Sequence, residues 1–168
     1  MAGMPFSGKS YIVEKLKKEG MIIICPKDYR PDDYNKYDEN EKRDLNIAAW
    51  ECSLELLEEQ IKTTKNDTVI IYDTCCASYE NMEGYFTLAK KMKRRIIYCY
   101  VHCPLDICEK RAGKDWNNSM IDKYKANFKI SIPRLAKEAN FVVKINNDGT
   151  SLDLTKIERY THGPDRVY

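Results

Sequence analysis

A phosphate-binding loop of the form G-x-x-x-x-G-K-[ST] lies near the amino-terminal end of the chain, and every fixed position matches. Its eight residues are Gly3, Met4, Pro5, Phe6, Ser7, Gly8, Lys9 and Ser10. The glycines let the backbone turn so tightly that successive N–H groups point inward around a phosphate. A helix that begins near Lys9 adds its positive dipole end to the same place. The pattern predicts a bound nucleoside triphosphate, ATP, with Lys9 at its β- and γ-phosphates and Mg²⁺ on the Ser10 hydroxyl. Tyr11, the next residue of the predicted helix, is included in the predicted ATP site.

Charged residues follow two of the predicted strands. Asp28 and Arg30 come after the apolar run 21–25, and Asp73 comes after the run 68–72. Ligands of an open parallel sheet bind beyond the carboxyl ends of its strands, so these side chains are expected to converge on the loop. Phosphoryl transfer requires a carboxylate that accepts the proton of the attacking hydroxyl and a cation that fixes the acceptor. We predict Asp28 as the general base, Arg30 as the acceptor ligand, and Asp73 as a residue that orients Arg30 or holds Mg²⁺ through water.

A mobile lid is predicted over residues 111–120. Arg111 and Lys114 stand at positions i and i+3, where one helix ends and a polar break begins, and they are expected to cover the charge that develops on the γ-phosphate. Each candidate also has an ordinary structural interpretation. Asp28 could be a turn residue, Asp73 a strand-end cap, and the two cations part of a solvated helix face.

Short apolar runs alternate with segments of helical periodicity along the whole chain. The predicted strands are 21–25, 68–72, 95–101 and 140–145, and the predicted helices are 9–18, 41–62, 81–93, 104–112, 120–130 and a weak one over 151–160. The helix 41–62 is expected to pack an apolar stripe of Ile47, Trp50, Leu54, Leu57 and Ile61 into the core. This alternation predicts an α/β domain with a mostly parallel sheet and right-handed crossovers. We expect residues 1–168 to form one domain.

The strand that should precede the loop is the exception. Such a loop normally joins a buried parallel strand to its helix, yet only Met1 and Ala2 precede Gly3. Two residues are too few for a strand of about five. We therefore expect the first strand to be missing or truncated, either because the natural chain starts upstream, which we favour, or because the strand was lost.

Composition narrows the class of protein. The 168 residues are 43% hydrophobic, which excludes a disordered chain, and a net charge of +2 gives no broad field for nucleic acid. The sequence shows no signal peptide and no apolar run long enough for a membrane span. Its seven cysteines include no C-x-x-C pair, which favours reduced thiols. We therefore expect a cytoplasmic protein. A zinc site at Cys99, His102, Cys103 and Cys108 is a weaker alternative to buried thiols and a surface histidine. We interpret the basic cluster 90–95 as the polar end of a helix rather than as a groove that binds nucleic acid.

The chain resembles the small P-loop kinases, and most closely the phage-type polynucleotide 5′-hydroxyl kinases. The resemblance covers Gly3 to about Ile145, through the loop, Asp28-Tyr29-Arg30, the strand that ends in Asp73-Thr74, and the segment from Pro104 to Arg111. It implies a P-loop NTPase-type three-layer α/β/α fold, ATP over the loop, Asp28 as the base, Arg30 on the acceptor phosphate and Asp73 as its support. In this chain, Lys27 stands where the family often has the first of two acids, and Cys75 replaces the Asn after Asp-Thr.

Three functions follow from these residues. The first is an ATP-dependent kinase for a hydroxyl of nucleic acid, at a 5′ end or on a hydroxymethylated base. The second is a kinase for a free nucleotide, a nucleoside or a small metabolite. The third is a nucleotide-binding module without turnover.

Overall fold

The computed structural model describes residues 1–162, so residues 163–168 of the predicted single domain lie outside the described part. Strands and helices alternate as predicted. The strands are β1 (Ala2–Gly3), β2 (Ile22–Ile24), β3 (Ile70–Tyr72), β4 (Ile97–His102) and β5 (Phe141–Asn146). The helices are α1 (Lys9–Leu16), α2 (Glu39–Thr63), α3 (Glu80–Lys91), α4 (Leu105–Ala112), α5 (Asn118–Glu138) and α6 (Thr155–His162), with short 3₁₀ turns at Pro26–Tyr29, Tyr34–Lys36 and Gly113–Asp115.

All strand pairs are parallel, as predicted. β1, β4 and β5 form one group in that order, and β2 pairs with β3 in a second group. β1 links the groups, because the Met1 amino group donates a hydrogen bond to the Tyr72 carbonyl at 2.7 Å and the Gly3 N–H donates to the Cys75 carbonyl at 3.2 Å. The truncated first strand of the prediction corresponds to this two-residue β1, which lies between β3 and β4.

Alternate side chains of β4 reach opposite faces of the sheet, as the two-residue period of a strand requires. Tyr98 packs in a core cluster with residues of α2, α3 and α5. Cys99 and Val101 pack in a second cluster with α1 and α6. Helices therefore cover both faces, which confirms the predicted three-layer α/β/α fold.

Helix α2 starts two residues before its predicted start, because Asp38 and Glu41 form a reciprocal capping box. Its carboxyl end is closed by Arg94, whose Nε donates to the Ile61 carbonyl at 2.9 Å. One residue of the predicted apolar stripe is misplaced, since Ile47 remains 46% exposed. Ile47 lines an open hollow beside Tyr34 and is not part of the core.

Helix α5 continues to Glu138, so the predicted end at Ile130 is wrong. Pro133 lies inside the helix, where it cannot donate to the carbonyl of Lys129. Both residues are exposed, so water can donate a hydrogen bond to the Lys129 carbonyl instead. Leu135, which is fully buried two residues later, keeps the helix packed beyond the proline. Within residues 1–162, no helix is long and apolar enough to cross a membrane.

Candidate functional site

The phosphate-binding loop forms a tight turn between β1 and α1. Gly3 has φ 143°, Phe6 φ 62° and Gly8 φ 88°, so three of its residues lie at positive φ. A Cβ atom on Gly3 would lie 2.5 Å from the Val101 carbonyl oxygen, too close for any side chain. The loop needs glycine at this position because β4 approaches the backbone so closely.

Lys9 is the first residue of α1, and its side chain folds back into the loop. The residue is 9% exposed, and its Nζ donates to the carbonyl oxygens of Met4 at 2.8 Å and Gly3 at 3.1 Å. Neither partner carries a charge. A phosphate oxygen carries a negative charge, so it would add an ion pair that the two carbonyl oxygens cannot give this buried ammonium.

Ser10 and Asp73 form a pair beside the loop. The Ser10 hydroxyl donates to Asp73 Oδ2 at 2.7 Å, and Asp73 is only 5% exposed. The Asp73 backbone N–H donates to the Ile24 carbonyl at 2.8 Å, which places the carboxylate at the carboxyl ends of β2 and β3. Of the two roles predicted for Asp73, the geometry favours the metal role, because the carboxylate contacts Ser10 rather than Arg30.

This oxygen pair fits Mg²⁺. The ion takes oxygen ligands, keeps several waters, and is commonly held by one or two carboxylates together with substrate phosphates. Ser10 and Asp73 would supply a hydroxyl and a carboxylate oxygen. Residues 1–162 contain no group of three or more His, Cys, Asp and Glu side chains that could enclose a metal by themselves.

The turn after β2 brings Lys27, rather than Asp28 or Arg30, to the loop. The Lys27 Nζ donates to the Ser10 hydroxyl oxygen at 3.3 Å. Asp28 is exposed on the same 3₁₀ turn, and the Arg30 guanidinium stacks on the Tyr34 ring at 4.7 Å. The roles of Asp28 and Arg30 stay predictions, and the contact of Lys27 is an addition that the spacing alone did not indicate.

A hollow of about 450 Å³ lies between Tyr34 and the amino-terminal half of α2, lined by Tyr34, Asn46 and Trp50 together with Glu39, Lys42, Arg43 and Ile47. The Asn46 Nδ2 donates to the Tyr34 hydroxyl at 2.7 Å. The Asn46 Oδ1 is buried and has no hydrogen-bond partner among the described residues. The Arg30 guanidinium stacks on the ring of Tyr34, which is one of the residues that line the hollow.

Asn147 holds Arg111 next to the loop. The Asn147 Nδ2 donates to the Ser7 carbonyl at 2.8 Å, and its Oδ1 lies 3.4 Å from Arg111 Nη2, which donates to it. Arg111 Nη1 also lies 3.5 Å from the position that a Cβ of Gly8 would take. The structure thus places Arg111 beside the loop, whereas Lys114 is exposed on the turn Gly113–Asp115, and the predicted role of both at the γ-phosphate stays a prediction.

The sequence analysis did not include Asn147 among the site residues, although its position after a strand could have indicated it. It is the first residue after β5, and residues directly after strands are the ones expected near the ligand. Tyr11, which the prediction placed in the ATP site, is exposed on α1 with Lys15 Nζ 5.5 Å from its ring centroid. Its place in the ATP site stays a prediction.

The cysteines around the site are buried thiols. Burial, assisted by the negative charge of Asp73, raises the pKa of Cys25 to about 11. Burial and a hydrogen bond with Cys103 raise the pKa of Cys108 to about 12. The four candidate zinc ligands do not form one cluster among residues 1–162, since Cys103 and Cys108 pack together in one core cluster while Cys99 packs in another, with α1 and α6.

Replacing Asn147 with Asp is expected to weaken ATP binding, with Kd rising about tenfold or more. The new carboxylate would lose the donor to Ser7, repel the phosphates and attract the Arg111 guanidinium away from them. Isothermal titration calorimetry with ATP and Mg²⁺ measures the change. Asn127→Asp, an exposed residue of α5 with the same change of charge, is the matched control. Equal affinities of the two variants would show that Asn147 does not support the loop.

Comparison with known families places these residues in context. A family profile described as an AAA domain matches residues 1–128, about three quarters of the chain. The matched range includes the loop, Asp73 and Arg111, but ends before Asn147. No curated protein sequence matches the chain.

Proposed function

The chain belongs to the AAA domain family, a group of P-loop nucleotide-binding proteins that includes kinases, and on this basis we propose that it is an ATP-dependent phosphotransferase acting on a hydroxyl of nucleic acid. The acceptor would be a 5′-hydroxyl end or a hydroxymethylated base, as in the polynucleotide kinases that the chain resembles. The observation that carries the proposal is the contact of the Ser10 hydroxyl with the buried Asp73 carboxylate, directly beside the loop that encloses the Lys9 ammonium.

The donor side of the reaction uses three parts of the site. Lys9 would exchange its carbonyl partners for oxygens of the β- and γ-phosphates. Mg²⁺ held by Ser10 and Asp73 would supply positive charge to the same oxygens. Arg111, tethered to the loop through Asn147, would neutralise the charge that builds on the γ-phosphoryl group in the transition state.

The acceptor side uses the turn after β2. The acceptor hydroxyl oxygen bonds to the γ-phosphorus while the bond from this phosphorus to the β–γ bridging oxygen breaks, and ADP leaves. The hydroxyl proton passes to the Asp28 carboxylate, which is the only carboxylate of the turn Pro26–Tyr29. Arg30, directly after this turn, would hold the phosphate next to the reacting hydroxyl.

The hollow beside Arg30 favours a nucleic-acid acceptor. Aromatic rings such as Tyr34 and Trp50 provide stacking surfaces for a base, and the unpaired Asn46 Oδ1 can accept a hydrogen bond from an exocyclic amino group. Lys42 and Arg43, which also line the hollow, would attract the phosphate backbone. A small sugar or organic acid would leave these features unused.

Two other functions have some support. A hollow of about 450 Å³ is also large enough for a single nucleoside or nucleotide, which keeps a kinase for free nucleosides as the second candidate. The exposed position of Asp28 and the contact of Lys27 with Ser10 support a third candidate, a nucleotide-binding module without transfer.

Radiolabelled transfer to a panel of acceptors separates these functions. With γ-labelled ATP and Mg²⁺, we expect label on a 5′-hydroxyl oligonucleotide or on a duplex with hydroxymethylated bases, and little on free nucleosides or gluconate. Arg30→Ala is expected to lower kcat/KM for the nucleic-acid acceptor about 100-fold because the reacting hydroxyl is no longer positioned. Arg159→Ala, an exposed arginine of α6, is the matched control.

Two results would contradict the acceptor assignment. Transfer to a free nucleoside but to no oligonucleotide would favour the second function. ATP binding without transfer to any acceptor would favour the third.

A further inference from the structure

The ammonium group of Lys27 lies at the hydroxyl that is assigned to Mg²⁺. Lys27 Nζ donates to Ser10 Oγ at 3.3 Å, and the same hydroxyl donates to Asp73 Oδ2 at 2.7 Å. A serine hydroxyl has one proton to donate and two lone pairs that accept. Asp73 uses the proton and Lys27 uses one lone pair. The hydroxyl oxygen that would bind Mg²⁺ therefore already has a cation beside it.

The turn after β2 places Lys27 close to both members of this pair. The Asp73 N–H donates at 2.8 Å to the carbonyl of Ile24, the last residue of β2, and the 3₁₀ turn begins just beyond it. The Lys27 carbonyl accepts from the Arg30 N–H at 3.3 Å, which closes the turn. The backbone of Lys27 is thus fixed, whereas its ammonium ends a flexible four-carbon stem. The ammonium can therefore follow a ligand while the turn stays in place.

Lys27 has no acidic partner that would compete with a ligand. Among residues 1–162, no carboxylate forms an ion pair with its ammonium, and the residue is exposed. The Ser10 hydroxyl is a neutral partner. A phosphate oxygen carries a negative charge, so it would add an ion pair that the hydroxyl cannot give.

The other cations of the candidate site lie elsewhere. Arg111 is tethered to Asn147, which itself donates to the backbone of the loop. The Arg30 guanidinium stacks on an aromatic ring of the next 3₁₀ turn. Within the described residues, Lys27 is the cation whose side chain contacts Ser10.

A triphosphate on the loop would come within reach of Lys27. In P-loop proteins, the Mg²⁺ on this hydroxyl bridges oxygens of the β- and γ-phosphates. A cation at hydrogen-bond distance from the same hydroxyl lies beside those oxygens as well. The ammonium cannot stay there when the metal enters, because Mg²⁺ holds its oxygen ligands at about 2.0–2.1 Å and the two positive charges repel. Lys27 and Mg²⁺ are therefore alternatives at one position.

We propose that Lys27 takes the position of Mg²⁺ at the Ser10 hydroxyl when ATP binds without the metal, and that it pairs there with the phosphates. This inference rests on the proposed function for the identity of the nucleotide, but not for any transfer to an acceptor. The chain then binds ATP without Mg²⁺, and it binds the metal less tightly than it would without the lysine. The two effects are linked, since a cation that favours metal-free ATP must disfavour Mg²⁺ by the same factor.

The test measures ATP affinity by isothermal titration calorimetry, once with excess EDTA and once with excess Mg²⁺. It compares the unmodified chain with Lys27→Met, which removes the charge but keeps an apolar stem, and with Lys27→Arg, which keeps the charge. Lys36→Met is the matched control, because Lys36 is an exposed lysine of the next 3₁₀ turn. Thermal unfolding of each variant without nucleotide verifies its fold.

In EDTA, we expect Lys27→Met to raise the Kd of ATP about tenfold, because one charged contact to the phosphates is lost. In Mg²⁺, the Kd should change less than about twofold, so the gain in affinity that Mg²⁺ gives becomes larger than in the unmodified chain. Lys27→Arg should stay within about threefold of the unmodified chain in both conditions, since a guanidinium also donates to phosphate oxygens. Lys36→Met should match the unmodified chain.

Three results would overturn the proposal. The first is a failure of the unmodified chain to bind ATP in EDTA. The second is an equal Kd for Lys27→Met and the unmodified chain in EDTA. The third is the same loss of affinity with and without Mg²⁺, which would separate Lys27 from the metal position. These measurements involve no acceptor, so an absence of transfer would contradict the proposed function while the titrations still decide the role of Lys27.

Discussion

Lys9→Ala is expected to reduce phosphoryl transfer about 1000-fold or more, the largest effect of any single substitution in the site. The loop encloses the Lys9 ammonium, whose hydrogen-bond partners among residues 1–162 are the carbonyl oxygens of Gly3 and Met4. Its removal takes away the charge that meets the β- and γ-phosphates, while the glycine-rich turn itself can persist. Initial rates with labelled ATP measure the loss.

The matched control for this substitution is Lys18→Ala, which removes an exposed lysine just beyond α1. We expect that variant to keep full activity. Thermal unfolding of both variants separates a loss of charge from a loss of fold. Near-normal transfer by a folded Lys9→Ala protein would refute the assignment of the loop as the phosphate site.

Asp73→Asn is expected to raise the Mg²⁺ concentration required for half-maximal transfer at least about tenfold and to lower the maximal rate about 100-fold. The amide has nearly the same shape and can still accept from the Ser10 hydroxyl, so the main change is the lost negative charge. Neutral oxygen is a weaker ligand for a small divalent cation than a carboxylate. Rates measured over a Mg²⁺ titration at saturating ATP report both effects.

Asp32→Asn, in the exposed segment between the two 3₁₀ turns, makes the same chemical change away from the site and should leave the Mg²⁺ dependence unaltered. ATP binding without Mg²⁺ should be no weaker in Asp73→Asn than in the unmodified chain, because a negative charge near the phosphates has been removed. An unchanged Mg²⁺ titration would place the metal elsewhere.

Local signals in the sequence predicted the loop and the order of elements. The glycines of the loop are demanded by backbone geometry, so they appear as a fixed pattern, and Lys9 and Ser10 follow at positions set by the start of α1. The strands could be found as short apolar runs because a strand buried on both faces is apolar at every position. Asp73 could be found because it directly follows such a run.

Tertiary contacts decide what the sequence could not predict. The prediction ended α5 before Pro133, but the helix continues through the proline because the carbonyl that loses its donor is exposed and Leu135 is buried beyond it. Arg30 was expected beside Asp73, yet it stacks on Tyr34 across a turn whose direction no periodicity encodes. Asn147 lies 140 residues from Ser7, to which it donates, so only the closed sheet brings them together.

The most direct test of the account is phosphorus NMR of a reaction that contains the protein, ATP, Mg²⁺ and a 5′-hydroxyl oligonucleotide. We expect a phosphomonoester signal from the oligonucleotide that grows in equal amounts with ADP, and no signal with Lys9→Ala. ADP accompanied only by inorganic phosphate, or no ADP at all with this acceptor and with hydroxymethylated DNA, would contradict it.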